Sequence, residues 1–135
     1  MRVFIDGNVI LDVLQNRKPF VIDSALIWKL CEAEKLEGYV SSLTFANLVY
    51  VMRKELTPEK IDDILKKLLL IFRFADLTAD DLNKAASLHW IDFEDAVQCM
   101  IAKRIHADYI ITRNIKDFNQ SPITALSPSE FLLRM

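Results

Sequence analysis

The sequence predicts an α/β protein, a parallel sheet covered by helices on both faces and folded as one domain over residues 1–135. Three observations point there. Short unbroken apolar runs, Val3-Phe4-Ile5 and Asp108-Tyr109-Ile110-Ile111-Thr112, suit strands buried on both faces. Between such runs the apolar residues recur at helical spacing, and alternating strands and helices make a parallel sheet. The chain is 52% hydrophobic, enough for a core.

The elements follow in order. Val3-Phe4-Ile5 is the first strand. Asp6-Gly7 has the composition of a hairpin turn. However, Val9, Ile10, Val13 and Leu14 have helical spacing behind Asn8, an expected N-cap, so a helix follows instead. Pro19 is expected to open a second helix to about Leu36, burying Ala25, Leu26, Trp28, Leu30 and Ala33, with Gly38 ending it. Tyr39-Val40-Ser41 is a second strand, and Ser42 is expected to cap a third helix carrying Leu43, Ala46, Leu48, Val49 and Val51. Thr57-Pro58-Glu59 starts a fourth helix that runs to about Phe72. Phe74 to Leu77 is a third strand. Thr78-Ala79-Asp80-Asp81 caps a helix ending near His89. Asp92 can cap the next helix, with Asp95 as its box partner, and Val97, Met100, Ile101 and Ile105 follow at helical spacing. Cys99 and Ala102 are small, so this helix can lie close against a sheet with Asp95 at the rim of a pocket. Asp108 to Thr112 is the fourth strand, Asp117-Phe118 closes the next loop, Ile123 to Leu126 is a fifth strand, and Ser127-Pro128 begins a terminal helix.

Composition excludes several function classes. The balance of 17 basic and 19 acidic residues gives net charge −2, which argues against a protein that coats nucleic acid and leaves local contacts open. Cys31 and Cys99 have no metal-ligand spacing, and a reducing, cytoplasmic compartment suits them. Asp6 interrupts the first apolar run too early for a signal peptide, and Leu68 to Phe72 is far too short to span a membrane.

Parallel sheets of this kind bind ligands beyond the carboxyl ends of their strands. Asp6 lies just past the first strand, and Asn114 and Asp117 just past the fourth. The helix that begins near Asp95 leads into that fourth strand, so its N-terminus lies at the same edge. Dipole complementation alone accounts for acids in a first turn, at about 0.3–1 kcal/mol each. Three carboxylates within ~5 Å are another matter, because each pair repels by about 3 kcal/mol at an effective dielectric near 20. Protons or a cation must then occupy the site. Oxygen-only ligands suit Mg²⁺ or Mn²⁺ rather than zinc, and such ions act on phosphate. Arg113 and Lys116 flank Asn114 and Asp117, where they can contact a phosphate backbone. His89 and His106 sit near helix ends, where the dipole accounts for them. No Gly-rich phosphate loop, nucleophile elbow or recognisable His–Cys pairing offers rival chemistry. A phospho-acceptor receiver domain would need an acid after its third strand, where Asp76 stands. The first-strand end lacks the paired acids such a domain carries.

Three blocks carry a family resemblance. Ile5-Asp6-Gly7-Asn8-Val9-Ile10-Leu11-Asp12 is similar to the "DTNV" opening of PIN domains. Asp92-Phe93-Glu94-Asp95-Ala96 resembles the "DFEDA" block of one PIN branch, and Thr112-Arg113-Asn114-Ile115-Lys116-Asp117-Phe118 resembles the closing "TRNxxDF" motif. The resemblance implies a three-layer α/β/α fold with strand order 3-2-1-4-5 and metal-dependent endoribonuclease activity. It also implies a toxin role beside a cognate antitoxin, and a homodimer or higher homo-oligomer. Carried over by position, Asp6, Asp95 and Asp117 are the metal-binding, catalytic acids, with Asn8, Asn47, Asp92, Glu94, Thr112 and Asn114 in support. Glu94 lies roughly 100° around the helix from Asp95, which makes it the weaker ligand. Asn47 stands where many PIN domains carry glutamate, and Gly7 where many carry threonine. The uncharged Asn47 also fits a second reading, a PIN-fold module that binds RNA or protein with little or no hydrolysis.

Overall fold

A computed structural model describes residues 1–135. Five strands form one sheet, in order β3-β2-β1-β4-β5, with every pairing parallel. They are β1 (Arg2–Ile5), β2 (Glu37–Ser41), β3 (Arg73–Ala75), β4 (Tyr109–Ile111) and β5 (Ala125–Leu126). The helices are α1 (Gly7–Leu14), α2 (Val21–Glu32), α3 (Ser42–Met52), α4 (Pro58–Ile71), α5 (Ala79–Leu88), α6 (Phe93–Arg104) and α7 (Pro128–Leu133), with a 3₁₀ turn at Ile115–Phe118. This is the order that the family resemblance implies.

Alternate strand residues point to opposite faces. Val3, Ile5, Val40 and Ile111 join one core with Ile10, Ile27, Leu48 and Leu68 of the helices. Phe4 and Ile110 point the other way, against Ala96, Cys99, Ile101 and Ala102 of α6. The small Cys99 and Ala102 are completely buried there, as their spacing predicts. Capping boxes close the starts of α5 (Thr78 with Asp81) and α7 (Ser127 with Glu130), and Thr57 caps α4.

Several boundaries differ from expectation. Asn8 is not the N-cap of α1. Asp6 holds that position in extended geometry, so the helix leaves the strand directly. α2 begins at Val21, after a turn at Pro19, and ends at Glu32, where Glu34 adopts a left-handed φ of 60°. Its buried line is Ser24, Ile27 and Cys31. Leu26 and Ala33 are exposed, since the face that packs on the core carries Ile27 and Cys31 together with Ser24, which donates to Asp12 at 3.1 Å. Gly38 does not end the helix but lies within β2, opposite Val3, at a point where a Cβ would stand 2.6 Å from Cys31 Sγ. Ser41, one residue before Ser42, caps α3 by accepting from the Thr44 amide. At α6, Asp92 accepts from the Asp95 amide at 3.0 Å, and the return half of the box is not made.

Candidate active site

The parallel pairing of β1 and β4 builds the site's centre. Ile5 lies opposite Ile111, so Asp6 and Thr112 leave their strands side by side. The Asp6 amide donates to the Ile111 carbonyl at 2.9 Å, and Thr112 Oγ1 donates to Asp6 Oδ2 at 2.8 Å. Thr112 Oγ1 in turn accepts from the Asn114 amide, which sets the loop after β4. Asn8 Nδ2 reaches Asp6 Oδ2 at 3.3 Å, while Asn8 Oδ1 is buried with no partner. Burial pushes the Asp6 carboxyl above the usual carboxylate range. The Thr112 hydroxyl, the Gly7 and Asn8 amides and the Arg113 charge pull it down without cancelling that effect.

α6 brings its acids to the same strand ends. The Asp95 carboxyl is pushed up to about 7, first by burial and then by the charges of Asp92, Asp6, Asp117 and Glu94. Glu94 is raised as well, by burial and then by Asp92 and Asp6. Positions 6, 95 and 117 therefore lie within electrostatic reach of one another. No three of the chain's His, Cys, Asp or Glu side chains are oriented to grip one ion as they stand.

Two cavities share these acids. One, of about 180 Å³, is lined by Asp6, Asn8, Asn47 and Glu94. Glu94 thus shares with Asp6 the cavity to which Asn47 supplies no charge. The other, of about 540 Å³, is bordered by Asp92, Lys116 and Asp117. The two expected phosphate contacts divide. Lys116 is exposed on the 3₁₀ turn, whereas Arg113 turns inward, its Nε on Asp12 Oδ2 at 2.8 Å and its guanidinium 4.1 Å over the Phe20 ring. Asp76 follows β3 at the far edge of the sheet, two strands from Asp6, which removes the receiver-domain geometry.

Sequence reasoning missed two buried polar residues. Asp12 is wholly inaccessible and bonded by Ser24 and Arg113. Its position among Ile10, Leu11 and Val13 on a short apolar helix was the available signal. Gln98 is buried one turn beyond Glu94 and Asp95, with Oε1 unpartnered. A lone amide inside the apolar stretch of α6 marked it.

The donor set fits a hard divalent cation. It is all oxygen, the buried Asn8 Oδ1 beside Asp6 lacks a partner, and Asp6, Glu94, Asp95 and Asp117 repel one another with none of them in an ion pair.

The chain is similar to known proteins in sequence and in fold. Ribonuclease VapC1 of Aquifex aeolicus (strain VF5) is 28% identical over 138 residues, covering 98% of this chain and 94% of that protein. The fold is similar to that in a crystal structure of VapBC2 from Rickettsia felis bound to a promoter DNA fragment. The TM-score is 0.70 at 19% identity, over 94% of this chain and 98% of that one. It is also similar to FitAcB from Neisseria gonorrhoeae, with a TM-score of 0.72 at 20% identity, over 94% and 98% of the two chains. A family model described as the PIN domain matches residues 2–116. The chain belongs to the PIN domain family.

Proposed function

We propose that this protein, a single domain over residues 1–135, is a divalent-metal-dependent endoribonuclease and the toxin half of a type II toxin–antitoxin pair. The observation that carries this is the gathering of Asp6, Glu94, Asp95 and Asp117 at the carboxyl ends of β1 and β4 with none of the four in an ion pair. The relative named ribonuclease VapC1 supports the reaction class, and the fold's likeness to VapBC and FitAcB supports an antitoxin partner and a homo-oligomer. A cytoplasmic location fits both. No helix is long and apolar enough to cross a membrane.

Asp6, Asp95 and Asp117 hold Mg²⁺ or Mn²⁺, and Glu94 supplies the charge that Asn47 lacks. When bound, such an ion polarises a phosphoryl oxygen and lowers the pKa of a neighbouring water. The chain's own part is positional. Thr112 and Asn8 fix the Asp6 carboxylate, Asp92 fixes the first turn of α6, and Asn114 is tied to Thr112. Lys116, exposed next to Asp117, attracts the phosphate backbone.

Asn47 favours a second reading, an RNA- or protein-binding PIN module without hydrolysis. Cleavage of an unstructured RNA in Mn²⁺ and in EDTA separates the two. Nuclease function predicts cutting in Mn²⁺ alone, lowered about 10²-fold or more by Asp6→Asn and by Asp95→Asn. Wild-type rates in both variants, or no Mn²⁺-dependent thermal shift in the parent, reject it.

A further inference from the structure

We propose that the larger cavity, beside Asp117, seats one unpaired nucleotide of a single-stranded RNA, with Trp90 and Ile91 as its apolar wall and Lys116 as its phosphate contact. The assignment rests on the nuclease reading. Its volume of about 540 Å³ falls within the usual size of small-ligand sites, whereas the cavity of about 180 Å³ beside Asp6 and Glu94 lies below that range.

The wall has the chemistry a nucleotide requires. Ile91, between α5 and α6, is fully exposed and takes no part in either core. Trp90 is half-buried, its ring at 81° to that of Phe118 with centroids 6.1 Å apart, and it lines the cavity. An indole packed against another ring at the wall of a cavity offers a stacking partner for any base. Asn119 and Gln120 border the same space with exposed amides, which carry both the donors and the acceptors that base edges use. Lys116 is exposed and makes no ion pair within the chain, so its ammonium is free for a phosphate.

Asp117 belongs both to this cavity and to the acidic site. A nucleotide seated here therefore continues the strand whose phosphodiester is cut. A duplex presents its bases stacked and paired, and must unstack one to fill the seat. The seat consequently selects unpaired RNA.

The test uses the full chain in EDTA with an unstructured RNA octamer, free or annealed to its complement. Trp90 fluorescence is read in a Trp28→Phe background, because Trp28 packs against Phe72 in the core on the other face of the sheet. The free octamer should quench the indole and bind about tenfold more tightly than the duplex. Ile91→Ser, at a position too exposed to affect folding, should weaken octamer binding. It should also raise the KM of Mn²⁺-dependent cleavage about fivefold while kcat stays within twofold, and Ile91→Leu should restore both. Equal affinity for octamer and duplex, or an unchanged KM in Ile91→Ser, overturns the seat. Quenching without cleavage in any divalent ion would retain the seat and remove the nuclease reading. Cleavage without quenching would do the reverse.

Discussion

Arg113 donates from Nε to Oδ2 of Asp12 at 2.8 Å, across 101 residues of chain. The bond ties the loop after β4 to α1, so the segment that carries Asn114 and Asp117 is anchored beneath the site. Asp12 is fully buried, with Ser24 donating at 3.1 Å and Arg17 lying 3.9 Å away. Arg113→Ala should therefore strand a buried carboxylate. The expected cost is about 3 kcal/mol, at the low end for a broken buried pair because Ser24 and Arg17 remain. Urea denaturation measures it, and a loss below about 0.5 kcal/mol, the size of an ordinary surface substitution, would remove the anchoring role.

Gly38→Ala tests the close packing of β2 on α2. The added Cβ would meet Cys31 Sγ at 2.6 Å, Phe72 at 3.1 Å and Ile5 at 3.2 Å. A loss of about 1–3 kcal/mol is expected. Cys31→Ala in the same chain clears the closest atom and should recover part of it. Additive losses in the double variant would show that the sulfur is not the obstacle.

The charge on Asp95 makes stability fall with rising pH in metal-free protein. Its folded-state pKa of about 7 lies above its ordinary 3.8, so the folded chain holds this proton more tightly than the unfolded chain. The group's contribution is fullest below about pH 4 and is lost as pH rises to about 7. Asp95→Asn should remove that dependence. In EDTA its Tm advantage over the parent should grow between pH 4 and pH 7 and then level off, reaching no more than about 4 °C because the group is partly exposed. A Tm difference constant across pH 4–8 would contradict the proximity of these acids.

Glu94 and Asn47 line one cavity with Asp6, which yields a paired prediction on metal affinity. Glu94→Gln should weaken Mn²⁺ binding about tenfold by calorimetry. Asn47→Glu should strengthen it by a similar factor and lower the Tm in EDTA, since it adds a like charge. If Glu94→Gln leaves Mn²⁺ affinity unchanged, Glu94 does not supply the missing charge.

Much of this was legible in the chain itself. Apolar runs such as Val3 to Ile5 have no amphipathic alternation because they are covered on both faces, so their number and parallel pairing could be read directly. Asp6 had to lie at the sheet's carboxyl edge because it is the first residue after a strand. Thr78, Thr57 and Ser127 cap helices through bonds that span three residues, which local sequence determines. Gly38 misled because its reason lies in Cys31 and Phe72 on other elements.

The linear order of residues alone thus determined the elements, their succession and the edge at which the acids collect, because those follow from periodicity and from chain direction. Only the tertiary structure decided that Arg113 turns in to Asp12, that Glu94 shares a cavity with Asp6 and the uncharged Asn47, and that Trp90 and Ile91 line a cavity beside Asp117. A side chain's direction is set by the charges and volumes around it, and here those come from segments up to about a hundred residues away.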